Sequence, residues 1–281
     1  MRNIMAADLF RLKMQKSTWI LPLVTFIVLF LFGCIKGFLL GNASWLKLFH
    51  DAINGGISAI EQQAGVGSLD GFSSILGGNY PNLASYITST FQRDSITIMV
   101  IFVSVYVAAV RRNGFVKNIG SVYNTFKYNV SQAIVLLGYS LLIMVVNLCA
   151  VMLSTAIFFE NMEFGNVGSF VMYFIIVAVL HWVESLMVVL MCDYFKSPTT
   201  GIIIGCLYTG AVASFLCSVV NLVLEVAAKT DFRLNHIMPY GFSLIMRYDS
   251  LPSYLYGIAL SAIYLLVFFG GKALIKRKDI A

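Results

Sequence analysis

The sequence predicts an all-α membrane protein: six transmembrane helices preceded by an N-terminal interfacial helix, with both termini cytoplasmic and the 281 residues forming a single transmembrane domain. Three observations lead there. Apolar residues make up 59% of the chain and charged residues only 11%, with a mean hydropathy of +0.85, well outside the range of a soluble domain. Six runs reach, or can be extended to, the roughly 20 apolar residues that cross a bilayer's hydrocarbon. Positive charge falls on alternate connections between those runs, as the positive-inside tendency demands.

Residues 2–17 mix Ile4, Met5, Leu9, Phe10 and Leu12 with Arg2, Arg11, Lys13 and Lys16, and run into Trp19. That composition reads as a helix lying in the inner interface, an elbow into the first span. The first apolar run, 18–40, is full length, unlike the short core of a cleaved signal peptide, so it reads as a retained span. The glycines of 41–94 break any long helix, and this large outer loop suits a small lid or short surface helices.

The second run, 95–110, is short but extends backward through Phe91. A basic connection, 111–128, separates it from the third run, 130–159. The fourth run is 169–192, followed by the linker 193–200 and the fifth run, 201–223. A second outer loop, 224–253, keeps enough Ile, Met, Phe and Leu either to fold back into the bilayer, shielded by protein, or to lie on its surface. The sixth run, 254–271, leads into a short basic tail.

With the N-terminus inside, thirteen of the nineteen Lys and Arg lie on inner segments, against only Asp8, Asp193 and Asp279. The outer loops hold five positive and nine negative residues. Cys34, Cys149, Cys192, Cys206 and Cys217 all fall within or at the ends of the runs, where they read as small packing residues rather than a disulfide framework.

Catalysis on this chain finds no support. The inner segments are too short for a catalytic domain, which needs more than roughly 40 residues. No phosphate-binding loop, zinc-protease helix, nucleophile elbow or C-x-x-C pair occurs. An ATP-driven activity would need its ATPase on another chain.

Within the runs, Lys36, His181 and Glu184 are the ionisable residues and form a possible intramembrane polar site. Lys36 sits near a span end and can snorkel. His181 and Glu184, three apart, share a helix face and suit a buried pair, a cavity lining or a proton relay. Two ligands from one helix are too few for a metal. Asn147 and Asn221 read as hydrogen-bond partners between helices. Gly201 and Gly205 form a G-x-x-x-G pattern, which lets helices approach closely either within the chain or across a dimer.

The basic connection carries more than charge. Phe115, Ile119 and Phe126 are side chains that need a surface to pack on. The run Gly114, Phe115, Lys117, Asn118, Ile119, the interfacial N-terminal helix, the six spans and the large first outer loop together resemble the permeases of type-2 ABC exporters. The resemblance covers the whole chain in layout, and a motif only in 111–128. There Val110 stands where similar permeases carry an acid, and Asn124 and Phe126 stand near their proline and arginine, with Lys127 supplying a basic charge.

The resemblance implies that 111–128 contains a coupling helix seated on a separate ATP-binding subunit, present in two copies, which binds ATP and Mg. The chain itself would bear no cofactor and bind no nucleic acid. A second permease, the same or homologous, would complete the path in the cell membrane. Substrates fitting such a path are amphipathic or antimicrobial peptides or small hydrophobic molecules. From the residues alone two other readings stay open: an ion- or proton-coupled carrier using His181 and Glu184, and a non-transporting membrane sensor or scaffold.

Overall fold

Apolar runs in a bilayer must satisfy their backbone internally, and helices do so. In the computed structural model the described residues are 2–41, 82–91, 95–112, 125–158, 163–195, 197, 199–200, 203, 207, 217, 219–221, 223–225, 229 and 233–280. Among them there is no strand. The helices are α1 (Arg2–Met14), α2 (Lys16–Gly41), α3 (Leu83–Phe91), α4 (Ser95–Arg112), α5 (Thr125–Phe158), α6 (Val167–Phe195), α7 (Pro239–Ile245) and α8 (Leu251–Ile280).

Four of these, α2, α5, α6 and α8, are long and apolar enough to cross a membrane. The chain is therefore a membrane protein with transmembrane helices. The expectation of six such helices is met in part. The second run forms α4, whose 18 residues span about 27 Å at about 1.5 Å each. The fifth run lies mostly outside the described residues, although its described positions 203, 207, 217, 219–221 and 223 are helical.

Contacts between helices fix their directions. Asp8 meets Ser131, and a side chain at Gly33 would strike Ser154, so α2 and α5 run parallel. The Ser140 hydroxyl donates to Ala178 O, and Trp182 Nε1 donates to Ala133 O, so α5 and α6 run antiparallel. The Tyr254 hydroxyl donates to Ser169 O, and Lys272 meets Asp193, so α6 and α8 run parallel. Thus α1, the start of α5 and the ends of α6 and α8 gather at one end of the bundle. Because α6 ends there and α8 begins at the other end, the chain between them returns across the bundle's length.

The short helix α4 is the hub. Met99, Val100, Phe102, Val103, Tyr106 and Val107 are all buried, packed among Leu136 and Tyr139 of α5, Leu186 and Val189 of α6, and Phe268 of α8. The Phe102 and Tyr139 rings stack with centroids 3.5 Å apart. By contrast α2 turns Ile20, Leu23, Ile27, Leu31 and Ile35 outward, the lipid-facing surface a peripheral span requires.

At the α1 end, Gln15 breaks the helix between α1 and α2. Trp19 Nε1 donates to Lys13 O at 3.0 Å and braces the corner. Leu9, Phe10 and Met14 are exposed. At the far end, Leu83 and Ala84 at the start of α3 donate main-chain hydrogen bonds to Glu163 and Phe164 in the α5–α6 connection. Gly165 there adopts φ +91°, with Asn82 crowding the place a side chain would fill.

The basic connection is shorter than the sequence indicates. Arg111 and Arg112 belong to α4, while Phe126, Lys127 and Tyr128 belong to α5. Gly114, Phe115, Lys117, Asn118 and Ile119 lie outside the described residues, as do Gly201 and Gly205. Cys34, Cys149, Cys192 and Cys217 are free thiols.

Candidate functional site

His181 and Glu184 lie on α6 one turn apart and are both fully buried. At about 1.5 Å per residue, Glu184 is about 25 Å from the start of its helix. What reaches it from the far end is the segment 233–250, which folds back into the bundle instead of lying across its end.

The local sequence explains how that segment goes in. A 3₁₀ turn at Leu234–His236 leads to Met238 in extended backbone, Pro239 starts α7 where its missing N–H costs nothing, and Met246 is again extended. Several of its polar groups are met by protein. Leu234 N donates to Asn221 Oδ1 at 2.7 Å, and the Tyr256 hydroxyl donates to His236 O at 2.9 Å. The Ser243 hydroxyl donates to Tyr240 O. Asn221 thus anchors this segment, where the sequence suggested a contact between spans.

Tyr240, Phe242, Ser243 and Met246 are buried against α6 and α8. Gly257 permits the approach: a Cβ there would lie 2.8 Å from Ile176 and 3.3 Å from the Phe242 ring. The Tyr240 main-chain N–H bears on the Glu184 carboxyl, though without hydrogen-bond geometry, since neither Glu184 oxygen accepts a hydrogen bond from a described group. The Cys217 thiol lies within electrostatic range of the same carboxyl, and its Sγ is 3.4 Å from Met238 Sδ.

Lys36 is not part of this constellation. Its position on α2 lies beyond Gly33, which faces Ser154 near the opposite end of the bundle, and its side chain is outside the described residues. Among the described residues no three His, Cys, Asp or Glu side chains gather into a metal-binding group.

A second polar cluster was not foreseen. The charge pattern assigns Lys272 and Asp193 to the solvent-facing ends of their spans. Instead Lys272 is buried, ion-pairs with Asp193, donates to Gln132 Oε1 at 3.2 Å and lies over the Phe268 ring. One lysine thus fastens α8 to α6 and α5. The available signal was the separation of Lys272 from the terminal Lys276, Arg277 and Lys278 by three apolar residues.

Asn147, expected to bridge helices, is buried on α5, and neither its amide nitrogen nor its oxygen has a hydrogen-bond partner among the described residues. No family model matches the chain, and no curated protein or solved structure matches it.

Proposed function

We propose that this chain is the transmembrane permease subunit of an ATP-driven exporter of the type-2 ABC kind. In this reading it lies in the cell membrane with both termini cytoplasmic. It forms half of a translocation path for amphipathic or antimicrobial peptides or small hydrophobic molecules, and a second permease chain forms the other half. ATP and Mg are bound by two copies of a separate ATP-binding subunit, so this chain hydrolyses nothing itself.

One observation carries the reading. The residues that resemble a coupling helix join α4 to α5, the two helices whose Phe102 and Tyr139 stack in the core, and α1 is fastened to the start of α5 through Asp8 and Ser131. A push on that end moves the hub and the longest helix together. Close-packed elements respond to such a push as rigid bodies with a few discrete arrangements. ATP can then shift the equilibrium through contact with the connection alone.

Gentle purification of the tagged chain from its native membranes tests this. The expected companion is a P-loop ATPase, lost or uncoupled from transport when Phe115→Asp and Lys117→Glu are introduced. If the chain emerges alone from several mild detergents, or the double variant keeps full ATP-dependent transport, the reading fails.

A further inference from the structure

Glu184 is an acid with no counter-charge among the described residues. It is fully buried in α6, and neither oxygen accepts a hydrogen bond from a described group. A bare carboxylate in a membrane interior is strongly disfavoured unless a cation or several donors compensate it.

Three described donors of the surrounding helices are committed elsewhere. The Lys272 ammonium is held by Asp193 and Gln132. The Ser185 hydroxyl donates to Trp182 O, and the Ser243 hydroxyl donates to Tyr240 O. A hard metal ion would require about six oxygen ligands, whereas the neighbouring Cys217 and Met238 offer sulfur. A proton requires only the carboxyl.

The wall on one side of this acid is built differently from the rest. Helices α4, α5, α6 and α8 are continuous, but α7 is a seven-residue piece with extended backbone at Met238 before it and Met246 after it. It brings the Tyr240 main-chain N–H to the carboxyl. A neutral acid accepts from that N–H only weakly, through its carbonyl oxygen, whereas a carboxylate would draw it into a stronger hydrogen bond. The two protonation states therefore interact differently with α7, which is the condition for one to bias the position of the other.

We infer that Glu184 is a proton-binding site inside the bundle, and that the re-entrant segment 233–250 is the movable wall past which its proton exchanges with water. The step is an acid dissociation: the O–H bond of the carboxyl breaks, the electron pair stays on the carboxylate oxygen, and the proton passes to water. The other titratable groups on the elements packed around this half of α6 are His181 on α6 itself, Cys217, Tyr106 of α4, Tyr139 of α5, Tyr240 of α7, and Tyr264 and Lys272 of α8. The inference does not depend on an ATPase partner.

The test uses the full chain in lipid nanodiscs. Infrared difference spectra across a pH titration should show a protonated-carboxyl band that disappears as pH rises, is missing in Glu184→Gln and moves in Glu184→Asp. On the wild-type chain, a hydrophobic carbodiimide, which attacks protonated carboxyls, should modify Glu184 progressively faster as pH falls. A short bifunctional thiol cross-link between Phe242→Cys and Tyr256→Cys, whose native ring centroids lie 4.8 Å apart, in a chain with its native cysteines replaced, should slow that labelling by pinning α7 to α8. Absence of both the band and the label overturns the proton site. A band and label indifferent to pH mean a permanently neutral structural acid and overturn it equally. Labelling unchanged by the cross-link overturns the role of the segment.

Discussion

The Ser131 hydroxyl of α5 donates a hydrogen bond of 2.9 Å to the carboxylate of Asp8 on α1, joining residues 123 apart in sequence, both fully buried. A short helix held only by apolar contacts could slide. This contact gives α1 a fixed position against the start of the longest span.

Ser131→Ala should therefore destabilise the purified chain by about 1–3 kcal/mol, because the Asp8 carboxylate stays buried with one donor fewer. The measurement is loss of folded monomer on heating in detergent. A double-mutant cycle with Asp8→Ala should show coupling between the two positions, and additive losses would mean that this contact does not hold α1.

Gly33 is predicted to tolerate no side chain. A Cβ there would lie 2.7 Å from Ser154 Cβ and collide with its hydroxyl, so Gly33→Ala must push α2 from α5 at a cost of about 1–3 kcal/mol. Ser154→Gly in the same chain should recover most of that loss. Full stability of Gly33→Ala alone would show that the two helices are not in close contact.

The Phe102 and Tyr139 stack predicts effects of opposite size. Phe102→Ala empties the hub and should cost about 3–5 kcal/mol. Tyr139→Phe should be neutral or slightly stabilising, because the phenol oxygen is buried with no hydrogen-bond partner among the described residues. Thermal unfolding of both variants checks the pair, and a large loss for Tyr139→Phe would reveal a partner for that oxygen.

Breaking the buried pair at Lys272 should be costly only when one side is removed. Lys272→Met alone leaves Asp193 without its cation, for a loss near the lower end of the roughly 3–5 kcal/mol typical of buried pairs, because Asp193 keeps some access to solvent. Lys272→Met with Asp193→Asn should restore much of it. Detergent melting curves of the two variants decide the matter.

Insertion of the segment 233–250 can be read by chemistry from solution. In a chain with its native cysteines replaced, Arg233→Cys is exposed and should react readily with a membrane-impermeant thiol reagent, whereas Phe242→Cys, buried against Gly257, should react slowly. Equal rates would put the segment on the surface.

The long helices were legible because periodicity was not needed to find them: uninterrupted apolar runs within 18–40, 130–159, 169–192 and 254–271 became α2, α5, α6 and α8. Their ends were less legible. Polarity marks where lipid stops, not where the helix stops, so Arg111 and Arg112 joined α4, and Phe126, Lys127 and Tyr128 joined α5. His181 and Glu184 stood out because ionisable residues are rare in such runs. Their setting did not, because Asn221 and α7 reach them only through tertiary folding. The setting of Lys272 was illegible for the same reason: its partners, 79 and 140 residues away, leave no trace in local charge pattern.

The parallel course of α6 and α8 also bears on how the chain is made. Until α8 has been synthesised and released into the bilayer, Asp193 lacks its lysine, and Leu190 and Ile176 lack the close-fitting glycines Gly271 and Gly257. Between the synthesis of α6 and that of α8 the chain therefore presents an open, charged seam on α6. Closure of that seam by α8 turns three separate helices into one charge-matched unit.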